Sequence, residues 1–146
     1  MEQLIKNITW YRDKKAWHPA DIESLVNVAR STATEIFFFA VEVGEMHEEM
    51  KAAEYRRKSQ FAAYSQKLSN DAKEKSDKIT QSEIERNATV YLDEYFKQEA
   101  ATESAYKKAV LVLQTAQGVH DQMRQHVSNL KEEKKNEMSN NGSQHT

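Results

Sequence analysis

From Ile22 onward, apolar-type residues recur in steps of four and three: Ile22, Val26, Ala29, Ala33, Ile36, Ala40, Val43, His47 and Met50. Such steps return to one face of a 3.6-residue helix, so the pattern predicts a long helix that buries a stripe. Leu25, Phe37 and Val41 widen the stripe, and a shifted continuation runs through Arg57, Phe61, Tyr64 and Leu68. A second repeat follows: Ala88, Leu92, Tyr95, then Thr102, Tyr106, Ala109, Leu113, Ala116, His120, Met123, Val127 and Leu130. Glu99 interrupts that register once, and no proline breaks it.

Between the two repeats, SNDAKEKSDKITQS (residues 69–82) is polar apart from Ala72 and Ile79, which suits a chain reversal. Thr80 and Glu83 then have the spacing of a capping box, in which hydroxyl and carboxylate each satisfy an orphan N–H of the other residue. Pro19 suits the first turn of a new helix, and Asp21 and Glu23 favour its positive end. The organisation that emerges is all-α. An N-terminal aromatic and basic arm (1–18), suited to a short amphipathic helix, precedes an antiparallel helical hairpin (19–135). The first helix covers about 19–70, the reversal about 70–80 and the second helix about 80–135. The tail, 136–146, lacks periodicity and is expected to be disordered.

A lone hairpin buries one face of each helix, yet these stripes exceed a strict two-in-seven seam. Phe37 and Phe38 on the first helix, and Val110, Val112 and Val119 on the second, are surplus. The surplus predicts a coiled-coil-like homo-oligomer, with Tyr106, Val110, Leu113, Val127 and Leu130 as the associating positions. Gly44 and Gly118 fall inside helices, where each costs about 1 kcal/mol relative to alanine. Close approach of a bulky residue from a facing helix would account for them, as would a kink.

Composition narrows the chemistry. The chain has 146 residues, 30% of them charged, a formal net charge of −2, three glycines, one proline and no cysteine. Its mean hydropathy is −0.88. Few turn residues mean few, long elements. Without cysteine there is no disulfide, thiol nucleophile or Cys-based zinc site. The longest apolar run, Ile36 to Val41, falls far short of a membrane span, and the N-terminus lacks the features of a signal peptide, so a cytoplasmic location without membrane contact is expected. No phosphate-binding glycine loop, nucleophile elbow or catalytic carboxylate pair is present. The expectation is a protein with no enzymatic activity, no cofactor and no metal. His47 and His120 occupy stripe positions without metal-ligand spacing and read as buried, hydrogen-bonded histidines.

Against the nearly neutral whole, residues 51–67 (KAAEYRRKSQFAAYSQK) concentrate Lys51, Arg56, Arg57, Lys58 and Lys67 with Tyr55, Phe61 and Tyr64. Cations neutralise phosphates and aromatic faces stack on unpaired bases, so these eight residues form a candidate single-stranded DNA site. The plainer reading is a solvated charged face with Phe61 and Tyr64 in the seam. The arm repeats the theme with Trp10, Tyr11, Arg12, Lys14, Lys15 and Trp17, where anchoring against a helix is the commoner role. Just before the basic run lies an acidic one: Glu42, Glu45, Glu48 and Glu49.

In layout the chain resembles the small recombination mediator proteins of tailed phages, the UvsY-like family. The shared features are a short N-terminal segment, a first helix ending in a basic run that leads into aromatics (EYRRKSQFAAYSQK here), a polar connector and a long last helix. The resemblance spans most of residues 1–135. It implies single-stranded DNA binding, ring assembly through the C-terminal helical region, and loading of a RecA-type recombinase onto DNA coated by single-strand-binding protein. The family's basic positions map onto Arg56, Arg57 and Lys58, flanked by Lys51 and Lys67, and its tyrosines onto Tyr64. The glycine-rich loop that can follow them is replaced by SQKLSNDAKEK. Two other readings fit the residues: a helical module that docks on a protein, and a phage-encoded inhibitor whose acidic run imitates DNA phosphates.

Overall fold

The computed structural model describes residues 1–144. Its elements are α1 (Glu2–Asp13), a 3₁₀ turn (Pro19–Asp21), α2 (Ile22–Glu74), α3 (Gln81–Tyr91) and α4 (Asp93–Ser143), with no strand among the described residues. The long helices α2 and α4 pack against each other, so the fold is an all-α antiparallel helical hairpin with a short N-terminal helical arm. The chain forms two compact units, one of residues 1–42 with residues from Val110 onward, the other Val43–Ala109.

The buried stripe of α2 differs from the predicted one in alternate positions. Leu25, Thr32, Phe39 and half-buried Met46 alternate with Ala29, Ile36, Val43 and Met50, while Ala33, Ala40 and His47 are exposed. Thr32 tolerates full burial because its hydroxyl donates to the Val28 carbonyl at 2.7 Å. Phe39, in the centre of the FFF run, is the one that turns inward; Phe37 and Phe38 stay exposed. Gly44 and Gly118 have open space where a Cβ would sit, so no facing residue of this chain explains them.

In the first unit, Tyr11, Leu25, Ala29, Val119, Met123 and Leu130 make the core, flanked by Ile8, Trp17, Ile22, Val28 and Val127. The arm packs on it through α1. The Tyr11 hydroxyl hydrogen-bonds Nδ1 of His126, and the Tyr11 ring stacks on Trp17 at 5.4 Å. Asn7 donates to Ser31 Oγ at 3.0 Å, and Lys14 bonds Asp21 at 2.7 Å while lying over the Trp17 ring. Packing is thus the observed role of Tyr11 and Trp17.

In the second unit, α2 ends in a left-handed residue, Ser76 (φ 57°). The Asp77 amide donates back to Ala72 O and the Ser76 amide to Lys73 O, which is the Schellman pattern with serine in the usual glycine position. The predicted capping box forms. Glu83 N–H donates to Thr80 Oγ1 at 3.2 Å, and Thr80 N–H donates to the Glu83 carboxylate at 2.8 Å. The predicted single second helix is broken at Leu92, which is buried and caps α3 by donating to Ala88 O. Asp93 and Glu94 then open α4 at its positive end.

The histidine expectation is corrected as well. His47 is exposed beside the Tyr106 ring, and His120 is half-buried at a groove, whereas the His126 ring is hydrogen-bonded to Tyr11. Past Leu130, α4 runs on as a fully exposed helix to Ser143, through residues 136–143 of the expected disordered tail. Nothing there breaks it before Gly142, and each added residue gains a backbone bond once a helix is nucleated. The rest of the tail expectation, at residues 145 and 146, lies outside the described residues. No described helix is long and apolar enough to cross a membrane.

Candidate nucleic-acid interface

The basic segment lies on α2 in the second unit, and the structure divides seven of its eight residues into two groups. Arg57 sits at a stripe position and faces Glu99, the residue that interrupts the stripe of α4. Nε donates to Oε2 at 2.6 Å and Nη2 to Oε1 at 3.1 Å. The guanidinium also lies 5.3 Å over the Phe96 ring, and Phe61 meets Phe96 edge-on. The bond from Arg57 holds the Glu99 carboxyl below the usual carboxylate range. Lys58 and Lys51 both bond Glu54, at 2.5 and 3.2 Å, and lower its pKa in that order. These helical pairs are exposed and weak, so both lysines can exchange partners at little cost.

Tyr55, Arg56 and Lys67 form the second group. Tyr55 is 73% exposed. Among the described residues, Arg56 and Lys67 make no ion pair, and both are exposed. Tyr64 belongs to neither group. Its ring stacks on Tyr91 of α3 with centroids 4.1 Å apart and planes within 4°.

That stack reveals residues that the sequence reading missed. Tyr64, Arg86, Asn87, Val90 and Tyr91 line a shallow cleft of about 430 Å³. Tyr91 is 68% exposed, so a large part of its ring remains accessible. Arg86 has no carboxylate at contact distance among the described residues, although Glu83 one turn earlier feels its charge. Lys67 stands three residues after Tyr64, close enough on a helix to flank it. The result is a flat aromatic platform with cations beside it.

A signal for Tyr91 exists in the sequence. Pairing Arg57 with Glu99, the charges that break the two stripes, sets the antiparallel register. Seven residues beyond Arg57 lies Tyr64, and eight before Glu99 lies Tyr91.

Of the five expected associating positions, three make contacts within the chain. Leu130 is buried in the first core, Val127 packs against it, and Tyr106 meets His47. Val110 and Leu113 are half-buried. Of the surplus positions, Phe37 (66% exposed) and Phe38 are exposed as expected, joined by Val41 and Leu111, whereas Val119 is buried in the first core and Val110 and Val112 are half-buried. No group of three or more His, Cys, Asp or Glu suited to a metal ion occurs among the described residues. Comparisons with protein-family models, with curated proteins and with solved structures gave no match.

Proposed function

We propose that this chain binds single-stranded nucleic acid, as a non-enzymatic accessory protein of DNA recombination or repair. The observation that carries the reading is the coplanar Tyr64–Tyr91 pair, open to solvent on Tyr91 and accompanied by Arg86 and Lys67. An unpaired base stacking on such a platform gains about 1–3 kcal/mol, and a duplex hides the base faces that would do so. Tyr55 and Arg56 extend the surface along α2, while Lys51 and Lys58 can leave Glu54 for a phosphate. Arg57 and Phe61 act behind the surface, holding α2 and α4 in register. In the setting that the layout resemblance implies, a strand held with its bases splayed would be passed to a RecA-type recombinase displacing single-strand-binding protein.

The test is titration of a labelled oligothymidine and of a duplex of equal length, each at two salt concentrations. Preference for the single strand, weakening as salt rises, supports the reading. Equal affinity would leave phosphate contact alone, and no binding would remove the proposal.

A second reading, docking on protein, is favoured by a separate observation. Phe37, Phe38 and Val41 are all more than half exposed on one short stretch of α2, a larger apolar patch than an isolated surface residue gives.

A further inference from the structure

A groove in the first unit runs between α2 and α4, with a volume of about 360 Å³. Its floor is apolar and small: Val26, Ala29, Ala33 and Val127. Arg30 on α2, and Arg124 and Lys131 on α4, stand along it. Among the described residues, no carboxylate and no Trp, Tyr or Phe lines it. None of the three cations makes an ion pair among the described residues. All three are exposed, so their long stems can lie along the groove wall while their charged heads reach water. Like charges gathered on one groove repel one another, and no lining side chain offsets them. An apolar floor beside unpaired cations fits an occupant that is apolar along its length and anionic at one end.

We infer that this groove binds a small amphipathic carboxylate, of the class of a medium-chain fatty acid anion. Size decides against larger partners. From Val26 to Ala33 the floor spans about 10 Å of α2. A protein partner normally covers about 800 Å² per side, far more than such a floor offers. A single strand stacks its bases on aromatic faces, and His120 is the one ring along this groove. The volume instead falls at the lower end of the range for small-molecule clefts, about 300–1,000 Å³. An alkyl chain replaces water on Val26, Ala29, Ala33 and Val127, and burying its methylenes supplies the affinity. The carboxylate accepts from the guanidinium of Arg30 or Arg124, whose forked donors match its two oxygens. Lys131 adds attraction as a compact charge. This inference is independent of the nucleic-acid reading, since it draws on none of the residues of that surface.

Titration of the full chain with decanoate, below its micelle concentration, tests this by calorimetry and by the thermal midpoint. Binding should saturate at one decanoate per chain. The midpoint should rise with decanoate concentration, because the folded chain binds and the unfolded chain does not. Octanoate, two methylenes shorter, should bind up to about fifteenfold more weakly. Decanol, which lacks the charge, and acetate, which lacks the chain, should leave the midpoint unchanged. Arg30→Gln with Arg124→Gln removes both forked donors, and Ala33→Glu sets a competing carboxylate on the floor. All three positions are exposed, and both replacement residues are good helix formers, so helicity should be retained. Each variant should lose decanoate binding. A wild type without saturable binding, equal affinity for decanol, or variants that bind decanoate as the wild type does would each overturn the inference. So would displacement of decanoate by oligothymidine, because the groove would then belong to the nucleic acid.

Discussion

Arg57 and Glu99 grip each other through two hydrogen bonds, at 2.6 and 3.1 Å, and each is the charged residue that interrupts the apolar stripe of its helix. Both side chains are about four-fifths removed from solvent. A pair in that position contributes modest net stability, but removing one partner strands the other's charge in a seam. Arg57→Met alone should therefore cost about 1–2 kcal/mol, between the values for exposed and buried pairs. Arg57→Met with Glu99→Leu should recover most of it. Urea midpoints for the three proteins check this, and a double variant no better than the single would show that the pair is not coupled.

The same pair sets a pH dependence. Arg57 lowers the Glu99 pKa, so the folded state binds its proton less readily than the unfolded chain does. The stability from this pair is present above the ordinary carboxylate pKa of about 4.3, and fades as pH falls through the lowered folded value. Thermal midpoints should thus decline below about pH 5, and less steeply in Glu99→Gln. Parallel declines in the two proteins would remove Glu99 from the acid response.

Two serines of the second unit sit in unfavourable places. Ser76 adopts a left-handed conformation at the helix end, and the Ser65 hydroxyl is buried with no hydrogen-bond partner among the described residues. Ser76→Gly should raise stability by about 0.5–1 kcal/mol by relieving the Cβ clash. Ser65→Ala should also stabilise, by up to about 1 kcal/mol, since it removes an unsatisfied group and favours helix. Denaturant titration reads both, and a lower midpoint in either would contradict the local geometry.

Leu130 is buried in the core of the first unit and so stabilises the fold itself, with Val127 packed against that core. Leu130→Asp should lose helical circular dichroism and unfold at lower temperature, because it places an unpaired charge in a core. A folded monomer with native helicity would instead restore these residues as an interface between copies.

Much of the architecture was legible before any coordinates. The two stripes, the polar reversal and the Thr80–Glu83 box all follow from spacing alone. The errors have physical causes. Alanine counts as apolar but gains little from burial, so Ala33 and Ala40 drew the α2 stripe one position away from Thr32 and Phe39. Threonine counts as polar, yet Thr32 satisfies its hydroxyl on its own helix. The break at Leu92 involves neither glycine nor proline, and so left no composition signal. The basic–aromatic segment read as one surface because charge alone does not show which cations have partners. The Arg57 partner lies 42 residues away, and only pairing the helices brings Glu99, Phe96 and Tyr91 to that segment.

Arg56, Lys67 and Arg86 are exposed and make no salt bridge among the described residues. Replacing all three with alanine should lower the slope of log affinity against log salt by about two, at roughly 0.7 per phosphate contact on a single strand. Arg57→Met should leave that slope unchanged, since its charge is taken up by Glu99. Reversal of these two outcomes would return the site to the buried pair.

Binding of a labelled oligothymidine by Tyr91→Ala, compared with the wild type and Tyr91→Phe, tests the nucleic-acid platform most directly. Loss of one stacked base is worth about 1–3 kcal/mol, so Tyr91→Ala should bind about 5-fold to 150-fold more weakly, whereas Tyr91→Phe, which keeps the ring, should bind like the wild type. Equal affinity for all three proteins, with helicity unchanged, would contradict a role for the Tyr64–Tyr91 stack in holding a strand.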